Sequence, residues 1–376
     1  MLVIVAPGQG AQTPGFLAPW LEDPDFADRL IWLSAVSGLD LAHYGTEADA
    51  ETIRDTAVAQ PLLVASSLLA ALVLFPHPAD AFARIGAVAG HSVGEIAAAT
   101  GAGVITAEQA MVFVSQRGRA MAEASALTPT GMTAVLGGDR EEVLATLERH
   151  GLTPANDNGT GQIVAAGTMQ QLEALADDAP QRARLIPLSV AGAFHTEHMQ
   201  SAVKVLAKLA RAVSTHDTRT RLISNRDGQV IHSGREVLSR LVSQVSNPVR
   251  WDLCMQSMSD LGVTGILEMP PAGTLTGIAK RQLKGVETFA LKTPDQVDDA
   301  RAFVDKHGDA SPMDSTPTWR MLVSPSKGTF HQSDEIPLGS QLVPGVTIGE
   351  VENRRGKTPV LAPHGGTIVE WIVEDG

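Results

Sequence analysis

The feature that most limits how this chain can fold is the stretch VAGHSVGEIAAA, residues 88–99. An apolar run leads to a serine between two glycines, and a helix-favouring run follows at once. This order matches the G-x-S-x-G pattern of a nucleophile elbow, a sharp strand-to-helix turn whose flanking glycines let the backbone pass close to itself. An ordinary strand-to-helix loop also uses glycine and serine, so the pattern alone leaves both interpretations open.

Short β-favouring runs alternate with longer helical stretches in the first part of the chain. LVIVA and IGAVAG are typical of strands, whereas AEQAMVFVSQRGRAMAEA is typical of a helix. This alternation predicts a parallel sheet covered by helices, which we assign to residues 1–123 and 191–300. Residues 124–190 follow a β-α-β-β-α-β order, and this order predicts an inserted ferredoxin-like subdomain.

The composition changes near residue 305. The stretch DKHGDASPMDSTPT is polar and lacks apolar periodicity, so residues 301–318 are predicted to form a linker. Beyond it, short β-like runs alternate with glycine and proline turns, which predicts a small β module over residues 319–376. The expected fold class is therefore α/β, with a parallel-sheet, α/β-hydrolase-like core, an inserted subdomain and a C-terminal β module.

Composition also excludes several classes of function. A net charge of −13 argues against a nucleic-acid partner, and 44% hydrophobic with 19% charged residues is typical of a soluble globular protein. The lone cysteine, Cys254, rules out an internal disulfide and fits a reducing cytoplasm. The longest apolar segment, residues 61–75, is shorter than the ~20 residues of a membrane-spanning helix, so we expect a buried helix and no membrane. MLVIVAPGQG lacks a basic region and is expected to begin with a core strand.

A serine nucleophile needs a base within hydrogen-bond reach. His91 adjoins Ser92 in sequence, but neighbouring side chains diverge at a sharp turn, so it is a poor candidate. His195 follows a predicted strand where the chain returns to the main sheet, a position at which α/β sheets place their chemistry. Arg117 lies in a helix among apolar and small residues and needs an anionic partner, which is either a structural carboxylate or a substrate carboxylate.

Several short motifs occur together and in order: GQGAQ, QPLL, GHSVGE, QRGRAM, ANDN, GAFH, NPVRW and GTLTGIAKR. As a set they resemble the malonyl-CoA:acyl carrier protein transacylase family over about residues 1–295. The resemblance implies a cytoplasmic enzyme that transfers the malonyl group of malonyl-CoA to the pantetheine thiol of an acyl carrier protein, for fatty acid or polyketide synthesis. It implies no cofactor and no metal. One departure is the second proline of EMPPAGTLTG, where the family more often has glycine.

The resemblance implies a role for each matching position. Ser92 is expected to be the nucleophile, and His195 the general base and then the general acid. The main-chain carbonyl of Gln244 is expected to orient that histidine in place of an acidic residue. The remaining implied positions are the oxyanion-hole N–H groups of Gln9 and Val93, the carboxylate-binding Arg117, its pocket neighbours Gln60 and Phe194, and the pantetheine- or carrier-facing Asn156 and Asn158. Phe194 resembles the malonyl-selective members, because methylmalonyl-accepting relatives usually have a smaller residue there.

Other functions remain open from the residues alone. A malonyl transferase that loads a decarboxylase carrier would use the same chemistry with a different acceptor. A serine thioesterase or esterase would share the elbow, but it would have no use for Arg117. A non-catalytic interaction scaffold is plausible only for the C-terminal segment.

The C-terminal segment resembles a biotinyl/lipoyl carrier domain. Its predicted hairpin is VENRRGKTPV, in which Arg355 stands where the modified lysine is expected and Lys357 follows two residues later. The chain also stops at EDG, where the family adds a closing strand. The resemblance therefore implies a degenerate or truncated module, and attachment of biotin or lipoate is not expected.

Overall fold

The computed structural model describes residues 1–159, 161–190, 192–308, 322, 324–333, 335–343, 345–354, 356–362, 366–368 and 371. The chain divides into two compact units, Met1–Met313 and Asp314–Gly376, and each is described by itself. Residues 309–318 of the predicted linker and the predicted hairpin residue Arg355 lie outside the described residues.

The first unit contains strands and helices in alternation. Its strands are β1 (Leu2–Ala6), β2 (Ile85–Gly90), β3 (Thr130–Gly137), β4 (Thr153–Asp157), β5 (Gln162–Thr168), β6 (Ala183–Pro187), β7 (Arg221–Ile223), β8 (Val230–Ile231), β9 (Val249–Arg250), β10 (Gly265–Glu268) and β11 (Glu287–Ala290). Its helices are α1 (Pro24–Ser37), α2 (Leu41–Thr46), α3 (Thr56–Leu74), α4 (Pro78–Arg84), α5 (Gly94–Gly101), α6 (Ala107–Ser125), α7 (Arg140–Arg149), α8 (Met169–Asp177), α9 (Gln200–Ala210), α10 (Gly234–Gln244), α11 (Trp251–Asp260), α12 (Thr274–Gln282) and α13 (Val297–His307).

The central sheet has the strand order β11-β10-β1-β2-β7-β8. Neighbouring strands are parallel, except that β8 runs antiparallel to β7. All residues of β1 and β2 are buried, as expected where helices cover both faces of a parallel sheet. Since Ala6 pairs with Gly90, the loops that follow β1 and β2 leave the sheet at the same edge. This edge carries the candidate active site.

Helix α3 is the most apolar helix of the described residues. It begins after Asp55, whose side chain accepts a hydrogen bond from the N–H of Ala57, and it includes Pro61. The helix is long and apolar enough to cross a membrane, but 72% of its most apolar window is buried inside the fold. That burial is typical of a core helix in a soluble protein, and it agrees with the predicted buried helix.

The second sheet of the first unit is an inserted subdomain. Its elements follow the chain order β3-α7-β4-β5-α8-β6, and its strand order is β6-β3-β5-β4-β9. The first four strands form the predicted ferredoxin-like arrangement, in which β3 is antiparallel to both β5 and β6. Strand β9 was not predicted. It pairs parallel to β4 and comes from the part of the chain that has already returned to the main core.

The predicted start of the linker at residue 301 is not what the structure shows. Helix α13 continues to His307, because Val297, Ala300 and Val304 recur at helical spacing and are all buried. Residues 301–307 therefore belong to the first unit.

The second unit is a small β structure. Its described strands are β12 (Thr329–Gln332), β13 (Gln341–Leu342), β14 (Thr347–Asn353), β15 (Gly356–Leu361) and β16 (Gly366–Thr367). They form the antiparallel sheet β12-β14-β15 and the pair β13-β16. Along β14, buried Ile348 and Val351 alternate with exposed Glu350 and Glu352, which gives this unit its own apolar core. The predicted fold class, an α/β core with a ferredoxin-like insertion and a C-terminal β module, is confirmed.

Candidate active site

The turn from β2 to α5 is tight. Ser92 lies in this turn with φ of 52°, in the left-handed region that non-glycine residues rarely adopt. A Cβ at Gly90 would collide with the backbone of Gly94, and one at Gly94 would collide with the carbonyl of Ala6. The two glycines are therefore needed for close backbone packing, and they bring the elbow against the end of β1.

Asn225 holds the strained turn in place. Its Oδ1 accepts a hydrogen bond from the N–H of Ser92 at 2.7 Å, and its Nδ2 donates to the carbonyl of Gly90 at 2.7 Å. The residue is fully buried, so these bonds are not exchanged with water. One amide side chain thus satisfies the backbone on both sides of His91 and offsets the strain at Ser92.

Ser92 and His195 lie within hydrogen-bond distance although they are far apart in sequence. The Oγ of Ser92 is 2.8 Å from Nε2 of His195, and Nδ1 of His195 is 2.8 Å from the main-chain oxygen of Gln244. A carbonyl oxygen only accepts hydrogen bonds, so Nδ1 carries the proton and the bare Nε2 faces the serine hydroxyl. The predicted histidine and the predicted carbonyl are both at this position.

The protonation state of His195 follows from its surroundings. Burial, and then the positive charge of Arg117, lower the pKa of His195 to about 3, against the opposing hydrogen bond to Gln244. The imidazole is therefore neutral at physiological pH and free to accept a proton. His91, the neighbour in sequence, instead places its Nε2 2.9 Å from Oδ1 of Asn158 and packs edge-on against Trp251.

Arg117 is buried on α6, with 1% of its surface exposed. Its guanidinium donates to Oε1 of Gln60 at 2.6 Å, to Oε1 of Gln244 at 2.9 Å and to Oγ of Ser92 at 3.4 Å. Its Nε has no partner, and among the described residues no carboxylate forms an ion pair with it. Burial lowers the pKa of Arg117 to about 9, with the charge of Glu95 opposing that shift, so the side chain stays positive at neutral pH.

Two backbone N–H groups near Ser92 are available for a ligand. The described part of the chain provides no acceptor for the N–H of Gln9, after β1, or for the N–H of Val93, in the elbow. The side chain of Gln9 is held elsewhere, because its Nε2 donates to the carbonyl of Arg54 at 3.0 Å. Free N–H groups beside a nucleophile are the donors that an oxyanion needs.

The remaining predicted residues lie around this centre. Gln60 is buried and contacts Arg117, as expected of a pocket neighbour. Phe194 is buried in the main hydrophobic core directly before His195. Asn158 contacts His91, while Asn156 pairs with β9 and leaves its buried Oδ1 without a partner in the described region. Neither amide forms a hydrogen bond to Ser92, His195 or Arg117.

Glu95 and Asn225 were not predicted from the sequence, and of Gln244 only the main chain was. Glu95 had a visible signal, because it is the one charged residue of the helix that follows the GHSVG motif. Asn225 had none, since a single asparagine in a loop is common for turn reasons alone. The contacts that make both residues important join positions more than 100 residues apart.

A serine lies at the carboxyl edge of a parallel sheet, within hydrogen-bond distance of a neutral histidine and a buried arginine. This arrangement is typical of an α/β enzyme that transfers acyl groups. The chain matches the family described as "Acyl transferase domain" over residues 3–307, and it belongs to this family.

Individual relatives agree. "Malonyl CoA-acyl carrier protein transacylase" of Mycobacterium tuberculosis is 52% identical over 299 residues, which cover 80% of this chain and 99% of that protein. The crystal structure of MCAT from Mycobacterium tuberculosis matches with 51% identity and a TM-score of 0.77, over 80% of this chain and 99% of that one. A further match is a chain of the structure titled "PlMCAT:AntF (holo): type II PKS acyl-carrier protein in complex with its malonyl-transacylase". It is 28% identical with a TM-score of 0.73, and the match covers 80% of this chain and 99% of that one. The predicted family resemblance is confirmed.

Proposed function

We propose that this enzyme transfers the malonyl group of malonyl-CoA to the pantetheine thiol of an acyl carrier protein, through an ester on Ser92. The relatives named above are malonyl transacylases, one of them in a complex with its carrier protein. The observation that carries the proposal is Arg117, a buried cation that has no carboxylate partner among the described residues and whose guanidinium lies 3.4 Å from Oγ of Ser92. A substrate carboxylate supplies the missing anion, and the fork of arginine binds it bidentately.

In the first half-reaction Ser92 attacks the thioester carbonyl of malonyl-CoA. Nε2 of His195 takes the hydroxyl proton as the Oγ–carbon bond forms. The N–H groups of Gln9 and Val93 donate to the oxygen that becomes negative. The carbon–sulfur bond then breaks, and the proton on His195 passes to the sulfur of CoA, which leaves as the free thiol.

In the second half-reaction the same groups work in reverse order. The pantetheine thiol of the carrier enters the place of CoA, and His195 takes its proton as the sulfur attacks the malonyl ester. The carbon–oxygen bond of the ester breaks, and His195 returns the proton to Ser92. Arg117 holds the malonyl carboxylate through both steps, so the reacting carbonyl stays beside the same N–H donors.

The histidine contact favours this assignment over a serine esterase. A serine hydrolase normally stabilises its protonated histidine with a carboxylate. Here the Nδ1 partner is the carbonyl of Gln244, which is neutral. A buried arginine would also serve no purpose for an uncharged acyl group.

The fatty acid or polyketide pathway, the cytoplasm as the location and malonyl selectivity through Phe194 are part of the same proposal. A lost or added methyl group changes binding by only ~1–3 kcal/mol, so we expect preference for malonyl over methylmalonyl without absolute exclusion.

The direct test is mass spectrometry of the intact enzyme after mixing with malonyl-CoA. We expect one added malonyl group, located on Ser92 by peptide mapping and lost when a holo acyl carrier protein is added. Acetyl-CoA serves as the matched donor without a free carboxylate. Absence of the ester, or release of malonate at the same rate with and without carrier, would overturn the proposal.

A further inference from the structure

Glu95 is a buried carboxylate that the reaction described above does not use. It lies in the first turn of α5, three residues after Ser92, and only 2% of its surface is exposed. In the described structure no lysine or arginine forms an ion pair with it. A carboxylate costs free energy to bury unless hydrogen-bond donors surround it, so its partners show what keeps it there.

The partners of Glu95 are all donors. Its Oε1 accepts from the N–H of Asn225 at 2.9 Å, and its Oε2 accepts a short hydrogen bond from Nε2 of Gln244. The hydroxyl of Ser224 is a further donor. Each oxygen thus has a fixed role, one towards the residue that holds the elbow and the other towards Gln244.

Gln244 connects Glu95 to the substrate pocket. Its Nε2 also donates to the carbonyl of Ser92 at 3.1 Å, and its Oε1 accepts from Nη2 of Arg117 at 2.9 Å. An amide side chain presents a donor at one end and an acceptor at the other, and turning it over exchanges them. With Glu95 ionised, the donor end faces the carboxylate and the acceptor end must face Arg117.

We propose that Glu95 is a positioning residue for malonyl recognition, which fixes the orientation of the Gln244 amide and thereby aims the Arg117 guanidinium at the substrate carboxylate. The proposal rests on the function proposed above and adds to it a residue that never touches the substrate. If the amide turned over, its N–H₂ group would face the guanidinium, donor against donor, and Arg117 would be displaced.

The substitution Glu95→Gln isolates this effect. Its side-chain oxygen can keep the hydrogen bond from the N–H of Asn225, so the elbow is retained, but its N–H₂ group then faces Nε2 of Gln244. We expect malonyl ester formation on Ser92 to fall about tenfold, the size typical of losing one hydrogen bond to a charged group. Acetyl ester formation should stay within about twofold, because the acetyl group makes no use of Arg117.

A second substitution tests the route. Gln244→Met keeps the main-chain carbonyl that holds His195 and removes the amide between Glu95 and Arg117. We expect the same selective loss of malonyl transfer. The double variant with Glu95→Gln should be no worse than Gln244→Met alone, because the two residues act in series. Glu123→Gln, an exposed carboxylate on α6, is the matched control and should change nothing.

The wild-type enzyme gives a third measurement that needs no substitution. Burial raises the pKa of Glu95 to about 7, against the hydrogen bonds it accepts and the charge of Arg240. Among the described residues, Arg117 on α6 and Cys254 on α11 also interact electrostatically with Glu95. His195, with its pKa near 3, stays neutral over this range. The malonyl-to-acetyl loading ratio should therefore fall as pH drops through about 7 in the wild type, and it should be low and independent of pH in Glu95→Gln.

The outcomes separate the two proposals. If wild-type enzyme forms no malonyl ester on Ser92, the proposed function fails. If the wild type forms the ester but Glu95→Gln or Gln244→Met lowers malonyl and acetyl loading equally, or lowers neither, the role of Glu95 is overturned. If Glu95→Gln does not fold, Gln244→Met and the wild-type pH series decide, and a ratio constant across pH would reject the inference.

Discussion

The two units of this chain bury very different side chains. At the carboxyl edge of the central sheet, Arg117, Glu95 and His195 are all buried within one hydrogen-bonded cluster. In the described residues of the second unit, the buried cluster is entirely apolar and includes Ile348 and Val351. Its ionic pairs stay at the surface, as between Lys357 and Glu350.

The two units therefore differ in the free-energy cost of the groups that they bury. Burying charged groups lowers stability unless each is compensated, and surface ion pairs contribute ~0–1 kcal/mol. The second unit, with apolar residues inside and ion pairs at its surface, avoids the cost of burying charge. The first unit keeps a costly polar cluster, and such a cluster persists where chemistry requires it.

The largest expected effect comes from removing the hydroxyl at the centre of the polar cluster. Ser92→Ala should abolish malonyl ester formation, because the atom that becomes acylated is gone. Mass spectrometry after incubation with malonyl-CoA measures this loss. Ser340→Ala, at a half-buried serine of the second unit, should leave loading unchanged. A malonyl group still added to the Ser92→Ala protein would contradict the proposed role of that serine.

The next effect separates activity from stability. Arg117→Met should lower malonyl loading about 100-fold or more, since a bidentate charged contact is lost, and should spare acetyl loading. The free energy of unfolding should change far less than malonyl loading, because removing an unpaired buried charge offsets the loss of the donor to Gln60 and Gln244. Urea denaturation measures this. An equal loss for both acyl groups would indicate that the arginine is structural.

A smaller effect is expected at the elbow support. Asn225→Ala leaves the N–H of Ser92 and the carbonyl of Gly90 without partners, and each buried unsatisfied group costs ~1–3 kcal/mol. We therefore expect a clear drop in both thermal stability and loading of either acyl group. Asn353→Ala, in the second unit, involves a half-buried amide and should shift the Tm by far less. A stable but selective Asn225→Ala variant would contradict this role.

The smallest effect should follow from removing the second unit. The family match ends at residue 307, so a chain of residues 1–313 contains all of it. We expect its malonyl loading and its transfer to the carrier to stay within about twofold of the full chain, because an intact site keeps its transition-state contacts. Steady-state kinetics with both chains test this, and a large loss would show that the second unit takes part in catalysis.

Much of the fold could be predicted because its signals are local. The alternation of β-favouring runs with helical stretches predicts the parallel core, and the order of such runs predicts the β-α-β-β-α-β insertion. Strand β9 escaped prediction because two residues, Val249 and Arg250, carry no periodicity, and only β4 makes them a strand. The linker was predicted to start inside α13 because the polar residues Asp305, Lys306 and His307 follow Val304, whose burial depends on the packed core.

Some residues of the candidate site could likewise be predicted from the sequence, and others could not. The motif around Ser92 and the family pattern were enough to predict His195, Arg117 and the carbonyl of Gln244. The hydrogen bonds of Glu95 and of the Gln244 side chain arise only when α5, α10 and the loop after β7 come together. Periodicity and composition contain no information about which way an amide group faces.

The neutral carbonyl behind His195 has a kinetic consequence for the acyl-enzyme. Without an anion to favour the imidazolium, the histidine is a weak proton acceptor and discriminates between attacking molecules by their acidity. A thiol, with a pKa of about 8.5, gives up its proton far more readily than water does. We therefore expect the ester to resist spontaneous hydrolysis but to react promptly with an incoming thiol. The malonyl group then stays on Ser92 until a carrier protein binds.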